Sequence, residues 1–320
     1  MKMKKILITG GSGFLGKNLS KKLSNNYEIF CTARNQKQLQ QLKNNVDLQI
    51  LPGDVTSYHS INEVISRVKP EIVIHAAATK FVGLSEKFPN ECIDVNILGS
   101  QNVLRSSINN KVDYVLGIST DKATSPIENF YGHSKAVMEK LFTLSDGEYD
   151  TRFSCVRYGN VTWSTGSVFP IWEDMTNKDN HVVSTGPEMS RFFFSIDDAT
   201  KLIEDSIENQ EKIYGKILSI PMKGVKVSRI LDVWCSEFDC DWSVGEIRSG
   251  DRPLEYLISD QEKFKTSKIK FNKQDYFLLN LKEHTELNDL KTHYSSLNAE
   301  QYSDEEIRNL IVNKPNQEFL

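Results

Sequence analysis

The amino-acid sequence predicts an α/β protein, a doubly wound parallel sheet with a smaller C-terminal lobe. Three observations carry this. Short apolar runs alternate with stretches of helical periodicity through the first half, a glycine-rich turn follows the first run, and the alternation breaks down after Val161.

The first run, Ile6 to Thr9, is predicted as a strand. It is followed by a helix whose face is marked by Leu15, Leu19 and Leu23 at every fourth residue. Further strands are expected at Tyr27 to Ala33, Leu48 to Leu51, Ile72 to His75, Tyr114 to Ser119 and Phe153 to Tyr158. Ile93 with Ile97, and Leu104 with Ile108, mark helix faces able to cover the sheet between them. Beyond Val161, aromatic, Gly and Pro residues crowd Trp163 to Trp172, the start of the smaller lobe. The helix-like Asp197 to Ile207 and strand-like Ile217 to Ile220 are expected to return to the sheet. The resulting division gives residues 1–163 and 193–234 to the sheet domain, and residues 164–192 and 235–320 to a substrate-binding lobe.

Composition narrows the function. The chain has 320 residues, 39% of them hydrophobic, with a net charge of -4 from 39 basic and 43 acidic residues. That balance offers no long-range attraction to nucleic acid or anionic lipid, so an anionic ligand must be held by local groups. Five cysteines, Cys31, Cys92, Cys155, Cys235 and Cys240, form no CxxC pair, which argues for reduced thiols and against a zinc site. No stretch reaches the length of a membrane span and only Met1 to Lys5 precede the first apolar run, so a cytoplasmic protein is expected.

The turn after the first strand reads Thr9-Gly10-Gly11-Ser12-Gly13-Phe14-Leu15-Gly16. Gly10 permits a tight turn, Gly13 lets the backbone approach a pyrophosphate, and Gly16 lets the helix pack close to the strand. With the free N–H groups of a helix N-terminus, this is the fingerprint of a Rossmann dinucleotide site, for which Ser12, Phe14 and Leu15 supply the remaining contacts. The second strand ends in Arg34, with Lys37 close behind, where an acidic residue would favour NAD. A guanidinium there suits a 2′-phosphate, so NADP is expected in preference to NAD. Asp54 and Val55, just past the third strand, are placed to meet the adenine, although an ordinary turn before a helix explains Asp54 nearly as well.

The fifth strand runs into Ser119-Thr120-Asp121-Lys122, and Tyr131-Gly132-His133-Ser134-Lys135 follows. Tyr131 and Lys135, four apart on a helix, share one face, and an ammonium near a phenol makes the phenol a usable base toward a sugar hydroxyl. His133 falls between them and is expected to point off that face.

With these segments in view, the chain resembles the extended short-chain dehydrogenase/reductases, and within them the UDP-N-acetylglucosamine 4,6-dehydratases of polysaccharide biosynthesis. The resemblance spans nearly the whole chain. It includes HAAATK at 75 to 80, STDKATSP at 119 to 126, RYGNV at 157, GSVFP at 166, MSRFF at 189, IRSGDRPLE at 247, and the closing Tyr294-Ser295-Ser296 and YSDEEI segments. It implies cofactor contacts from Ala76, Ala77 and Ala78, and substrate contacts from Lys80, Thr120, Asn160, Arg191, Arg248 and Glu255. It also implies that Tyr131 takes the C4 hydroxyl proton, that Lys122 removes the C5 proton and that Asp121 protonates the departing C6 hydroxyl. Those roles require a lowered pKa for Lys122 and a raised one for Asp121.

The product implied is a UDP-linked 4-keto-6-deoxy-N-acetylhexosamine, with or without inversion at C5, and relatives of this kind pair into homo-oligomers. Three departures touch the substrate side: Phe81 where the family has His, a spacing from Asp121 to Tyr131 longer by one residue, and the C-terminal motif, which reads Arg248-Ser249-Gly250-Asp251-Arg252-Pro253-Leu254-Glu255. The alternatives are a 4-epimerase or reductase using Tyr131 and Lys135 alone, the same dehydration on a GDP- or CDP-linked hexosamine, and a non-catalytic NADP-sensing protein.

Overall fold

The computed structural model describes residues 3–34, 37, 40, 43, 46–246, 250–283, 290–316 and 319. Its centre is a nine-stranded sheet. In chain order the strands are β1 (Lys5–Thr9), β2 (Glu28–Ala33), β3 (Leu48–Pro52), β4 (Ile72–His75), β5 (Tyr114–Ile118), β6 (Arg152–Val156), β7 (Ile217–Ser219), β8 (Thr266–Phe271) and β9 (Gln274–Leu279). Across the sheet they run β8-β9-β7-β6-β5-β4-β1-β2-β3. The first seven pair in parallel, and all six strands expected in the first half form, with ends shifted by at most two residues.

Alternation along the strands divides the core. Ile6 and Ile8 of β1 face the helix α1 (Phe14–Leu23) through Leu19 and Leu23. Leu7, Val73 and Val115 face the other way. They pack on α2 (Tyr58–Val68), α3 (Gly99–Asn109) and α4 (Phe130–Ser145) through Val64, Val103 and Met138. The helix α5 (Ile196–Glu208) joins α1 on the first face, capped by Ser195 in a reciprocal bond with Asp198. Both faces being covered explains why strands such as Ile72–His75 are wholly buried. Ile93–Leu98, whose spacing suggested a helix face, is a π-helical turn ahead of α3.

A third core belongs to the smaller lobe. Trp163, Phe169, Trp172 and Trp234 form an aromatic cluster, with the Phe169 and Phe193 rings stacked at 5.9 Å.

The expected division of the chain changes most in two places. The helix Val227–Phe238, assigned to the sheet domain, buries Ile230, Leu231 and Trp234 in the lobe's aromatic core instead. The hairpin β8–β9, assigned to the lobe, extends the central sheet, β9 pairing antiparallel with β7 from Ile217–Leu279 to Ser219–Phe277. Its tight turn places Asn272 and Lys273 at positive φ, the conformation of two-residue hairpin turns. Among the described residues no helix is long and apolar enough to cross a membrane.

Candidate active site

The strand order reverses between β1 and β4, and the loops leaving their carboxyl ends open a cleft there, as open parallel sheets generally do. Gly10 has φ +72°, and a Cβ on it would sit 2.8 Å from the backbone of Ala77, so only glycine lets the two loops meet. A Cβ on Gly16 would lie 2.6 Å from the Gly10 carbonyl, which holds α1 hard against the turn. At Gly13 the nearest atom, the Gly10 carbonyl, would be 3.3 Å away, so this glycine guards open space. The first turn of α1 has neither a side-chain cap nor an acidic residue, leaving its N–H groups and the positive end of the helix dipole to an anion. The cradle therefore fits a dinucleotide pyrophosphate.

The cleft encloses about 1580 Å³. Its cofactor side is lined by Gly10, Ser12, Gly13, Phe14, Leu15 and Gly16, by Arg34, by Asp54 and Val55, and by Ala76, Ala77 and Ala78. Arg34 is exposed and 3.4 Å from Glu91, a loose surface pair that leaves the guanidinium available. Lys37 is exposed but is not among the lining residues. The Asp54 carboxylate accepts from Thr56 N–H at 2.9 Å, so it also shapes the turn before α2.

Thr120, Lys122, Tyr131 and Lys135 stand on the opposite wall. The turn Asp121–Ala123 is capped by Thr120 and leads toward α4, whose first turn is capped by Asn129 accepting from Gly132 N–H at 2.8 Å. A Cβ on Gly132 would lie 2.2 Å from the Lys122 carbonyl; glycine here lets α4 touch the turn and brings Tyr131 alongside Asp121. Lys135 Nζ donates to the Ile118 carbonyl at 2.8 Å, and burial draws the amine down to about 8 against the opposing pull of Cys155 and Glu139. Burial, helped by Asp121, pushes the Tyr131 phenol above its ordinary range, with Thr120 pulling the other way. His133 is exposed, as its position in the motif suggested.

Asp121 is fully buried, and its Oδ1 accepts from Thr120 Oγ1 at 3.0 Å and Lys122 Nζ at 3.1 Å. Its Oδ2 is buried with no hydrogen-bond partner among the described residues. Burial raises its pKa, and Lys122 and Arg252 only partly offset this. Lys122 departs from expectation. Burial works to lower its pKa, but Asp121 and Glu255, 3.1 and 3.4 Å away, outweigh burial and hold the ammonium above its ordinary value.

On the substrate side, Lys80, Asn160 and Arg191 line the cleft. Lys80 reaches solvent at the mouth yet is crowded by protein, which lowers its amine to about 8. Asn160 is 3.5 Å from Lys122 Nζ and donates to the Phe192 carbonyl at 2.9 Å. Arg191 bonds the Ser190 carbonyl at 2.9 Å. Glu255, expected at the substrate, lies behind Lys122 and does not line the cleft, because Arg252 holds it inward at 2.5 Å. Arg248 lies outside the described residues.

Sequence reasoning passed over Arg252, which ties the Asp121 turn in place through the carbonyls of Asp121, Thr124 and Pro126. It also passed over Gly132, although a glycine beside the Tyr of the motif was a readable sign of close packing.

A Rossmann sheet, an anion cradle at the switch point and a Tyr–Lys helix facing an Asp–Lys turn together define an enzyme of the nucleotide-sugar dehydratase and epimerase kind. The chain belongs to the polysaccharide biosynthesis protein family, whose model matches residues 6–277. It is 33% identical to a UDP-glucose 4-epimerase of Rickettsia felis, over 97% of this chain and 96% of that one. It is 32% identical to an inverting UDP-N-acetylglucosamine 4,6-dehydratase of Campylobacter jejuni, over 86% and 82%. The X-ray structure of Pen from Bacillus thuringiensis superposes with a TM-score of 0.88 at 27% identity, covering 98% of both chains. A Thermus thermophilus UDP-glucose 4-epimerase in complex with NAD, at 19% identity and a TM-score of 0.68 over 78% of this chain and 88% of that one, shares the fold.

Proposed function

We propose that the protein is a 4,6-dehydratase acting on a UDP-linked N-acetylhexosamine, UDP-N-acetylglucosamine before others, with NADP as its resident cofactor. The observation that carries this reading is the buried Asp121 carboxyl, its pKa raised, which lies just behind the cleft lining in contact with the Lys122 amine that does line it. An acid and a base side by side are what removal of water across C5 and C6 requires, and what transfer of hydride at C4 alone does not. NADP, when bound, would supply the hydride acceptor for C4 and the donor for C6.

In this reading the remaining chemistry belongs to the side chains. Tyr131 takes the proton of the C4 hydroxyl, its phenolate favoured once the positive charges of Lys135 and the cofactor side stand near it. Lys122, made neutral by passing a proton to Asp121 across their 3.1 Å contact, takes the C5 proton made acidic by the C4 ketone, and Asp121 gives its proton to the C6 oxygen as it leaves. Arg191, a planar donor fork on the substrate side, suits the diphosphate, and Lys80 stands on the same side. Arg34 suits the 2′-phosphate that distinguishes NADP from NAD.

The near-full-length likeness to UDP-glucose 4-epimerases supports a second reading, epimerisation at C4 by Tyr131 and Lys135 alone. Incubation with UDP-N-acetylglucosamine in deuterated water separates the two. Dehydration gives a product about 18 mass units lighter before isotope is counted, with deuterium at C5 by proton NMR. Epimerisation conserves the mass and leaves C5 unlabelled. No lighter product from any nucleotide-linked hexosamine would overturn the dehydratase.

A further inference from the structure

Glu255 and Arg252 are each only 2% exposed. Glu255 Oε1 stands 3.4 Å from Lys122 Nζ and 3.8 Å from Arg191 Nε, while Oε2 accepts from Arg252 Nε at 2.5 Å. Arg252 is pinned in turn. Its Nη1 donates to the carbonyls of Thr124 and Pro126 at 3.1 and 2.5 Å, and its Nη2 to the carbonyl of Asp121 at 3.1 Å. The Glu255 backbone N–H donates to Ser296 Oγ at 3.1 Å. Neither partner is free to swing away, so the Lys122 ammonium is held between two buried carboxylates.

We infer that Glu255, clamped by Arg252, is a positioning residue that sets the proton balance of the Lys122–Asp121 pair and thereby the pH range over which the site eliminates water. The inference rests on the dehydratase reading. Base and acid roles need a neutral Lys122 and a protonated Asp121. The ion pair in the structure holds the same number of protons in the other arrangement.

One transfer along the 3.1 Å contact interconverts them, breaking an Nζ–H bond and forming an Oδ1–H bond. Elimination then resets the pair. The C5 proton passes to Nζ, the electrons of the C5–H bond become the second bond between C5 and C6, the C6–O bond breaks, and the carboxyl proton leaves with that oxygen as water. The pair ends as the ion pair again, without a proton from solvent.

The charged groups that bear on the pair are Glu255, Arg191 and Arg252, with Tyr131 on α4 also titratable and Thr120 and Asn160 as neutral hydrogen-bonding neighbours. The active form carries one proton on the pair, so activity follows a bell between the pH values at which the pair holds two protons and none. Glu255's negative charge makes both protons harder to lose. Its removal therefore moves both limbs toward acid.

The test is the pH profile of kcat and of kcat/KM for dehydration of UDP-N-acetylglucosamine by the cofactor-loaded enzyme. In Glu255→Gln both limbs are expected to move about one unit or more to lower pH, while KM at the optimum changes less than about threefold. Glu255→Asp, which keeps the charge, should bring the bell back toward the wild type. If Glu255→Gln does not fold, Asn160→Asp places a new charge 3.5 Å from Lys122 Nζ and is expected to move the bell toward alkali.

A bell that stays fixed in Glu255→Gln, or in Asn160→Asp where that variant replaces it, while kcat falls would overturn the inference, as would a rise in KM alone. A wild-type enzyme that converts the substrate without losing water would overturn the dehydratase reading, and the inference with it. A dehydrating wild type with an unmoved bell in the charge-changing variant would overturn the inference only.

Discussion

A Cβ on Gly159 would lie 3.0 Å from Oδ2 of Asp121, so the carboxylate oxygen without a hydrogen-bond partner looks onto bare backbone. An oxygen that nothing donates to makes the ionised carboxylate costly, so the carboxyl holds a proton more tightly, on the Oδ1 that meets Lys122. Asp121→Asn keeps the shape and removes the transferable proton. Dehydration is expected to fall by about 10²- to 10⁴-fold, read as product by mass spectrometry, with binding of the nucleotide sugar changed far less.

The glycines of the first turn should separate stability from binding. Gly16→Ala forces a Cβ to within 2.6 Å of the Gly10 carbonyl and should destabilise the fold by about 1–3 kcal/mol, seen as a lower midpoint in denaturant. Gly13→Ala meets only one atom, at 3.3 Å, and should unfold nearly as the wild type does while binding dinucleotide at least tenfold more weakly. Equal destabilisation by both would contradict the cradle.

Arg34 carries the cofactor preference in the proposed function. Arg34→Ala is expected to weaken NADP by roughly ten- to a hundredfold, the scale of a charge-assisted phosphate contact, and to leave NAD within about threefold. Titration calorimetry with the two dinucleotides measures both. Equal weakening of each would show that Arg34 does not read the 2′-phosphate.

The buried Arg157 guanidinium is shared by Glu139 at 2.7 and 2.8 Å and Glu262 at 2.9 and 3.0 Å, tying β6 to α4 and to the turn before β8. Arg157→Met leaves two buried carboxylates unpaired and should cost about 3–5 kcal/mol near neutral pH. Burial pushes Glu262 up, but Arg157 and Ser259 outweigh it and hold the carboxyl below its ordinary value. A depressed carboxyl stabilises the fold above its unfolded pKa of about 4.3, and that contribution is lost as pH falls through the folded value. The gap between wild type and Arg157→Met should therefore narrow as urea unfolding is followed from neutral pH toward pH about 3. A constant gap would rule out Glu262 as its source.

Local pattern made the first half of the fold readable. The runs at Ile72 and Tyr114 could be placed because both sheet faces are covered and, His75 apart, every position is apolar or small. The hairpin β8–β9 was missed although Asn272 stands at its turn, because Lys268 and Lys270 make its outer strand look like a solvated loop. Spacing after a strand put Tyr131 and Lys135 on one helix face and Asp121 and Lys122 on the preceding turn, and the structure packs that helix against that turn. Arg252 was not legible, and Glu255 was placed at the substrate instead of behind Lys122, because their partners are a lysine and three carbonyls more than 120 residues away, brought together only by the tertiary fold. The raised pKa of Lys122 escaped for the same reason.

The hairpin also gives the sheet its last boundary. A nine-stranded sheet must end somewhere, and an open edge offers unpaired backbone groups to any passing strand. On this side the final strand is β8, whose Lys268 and Lys270 are exposed between buried Thr266 and Phe271. Charge at alternate positions of an edge strand discourages a neighbouring molecule from adding to it. The same two lysines that hid the strand from sequence reading thus guard the enzyme against edge-to-edge aggregation.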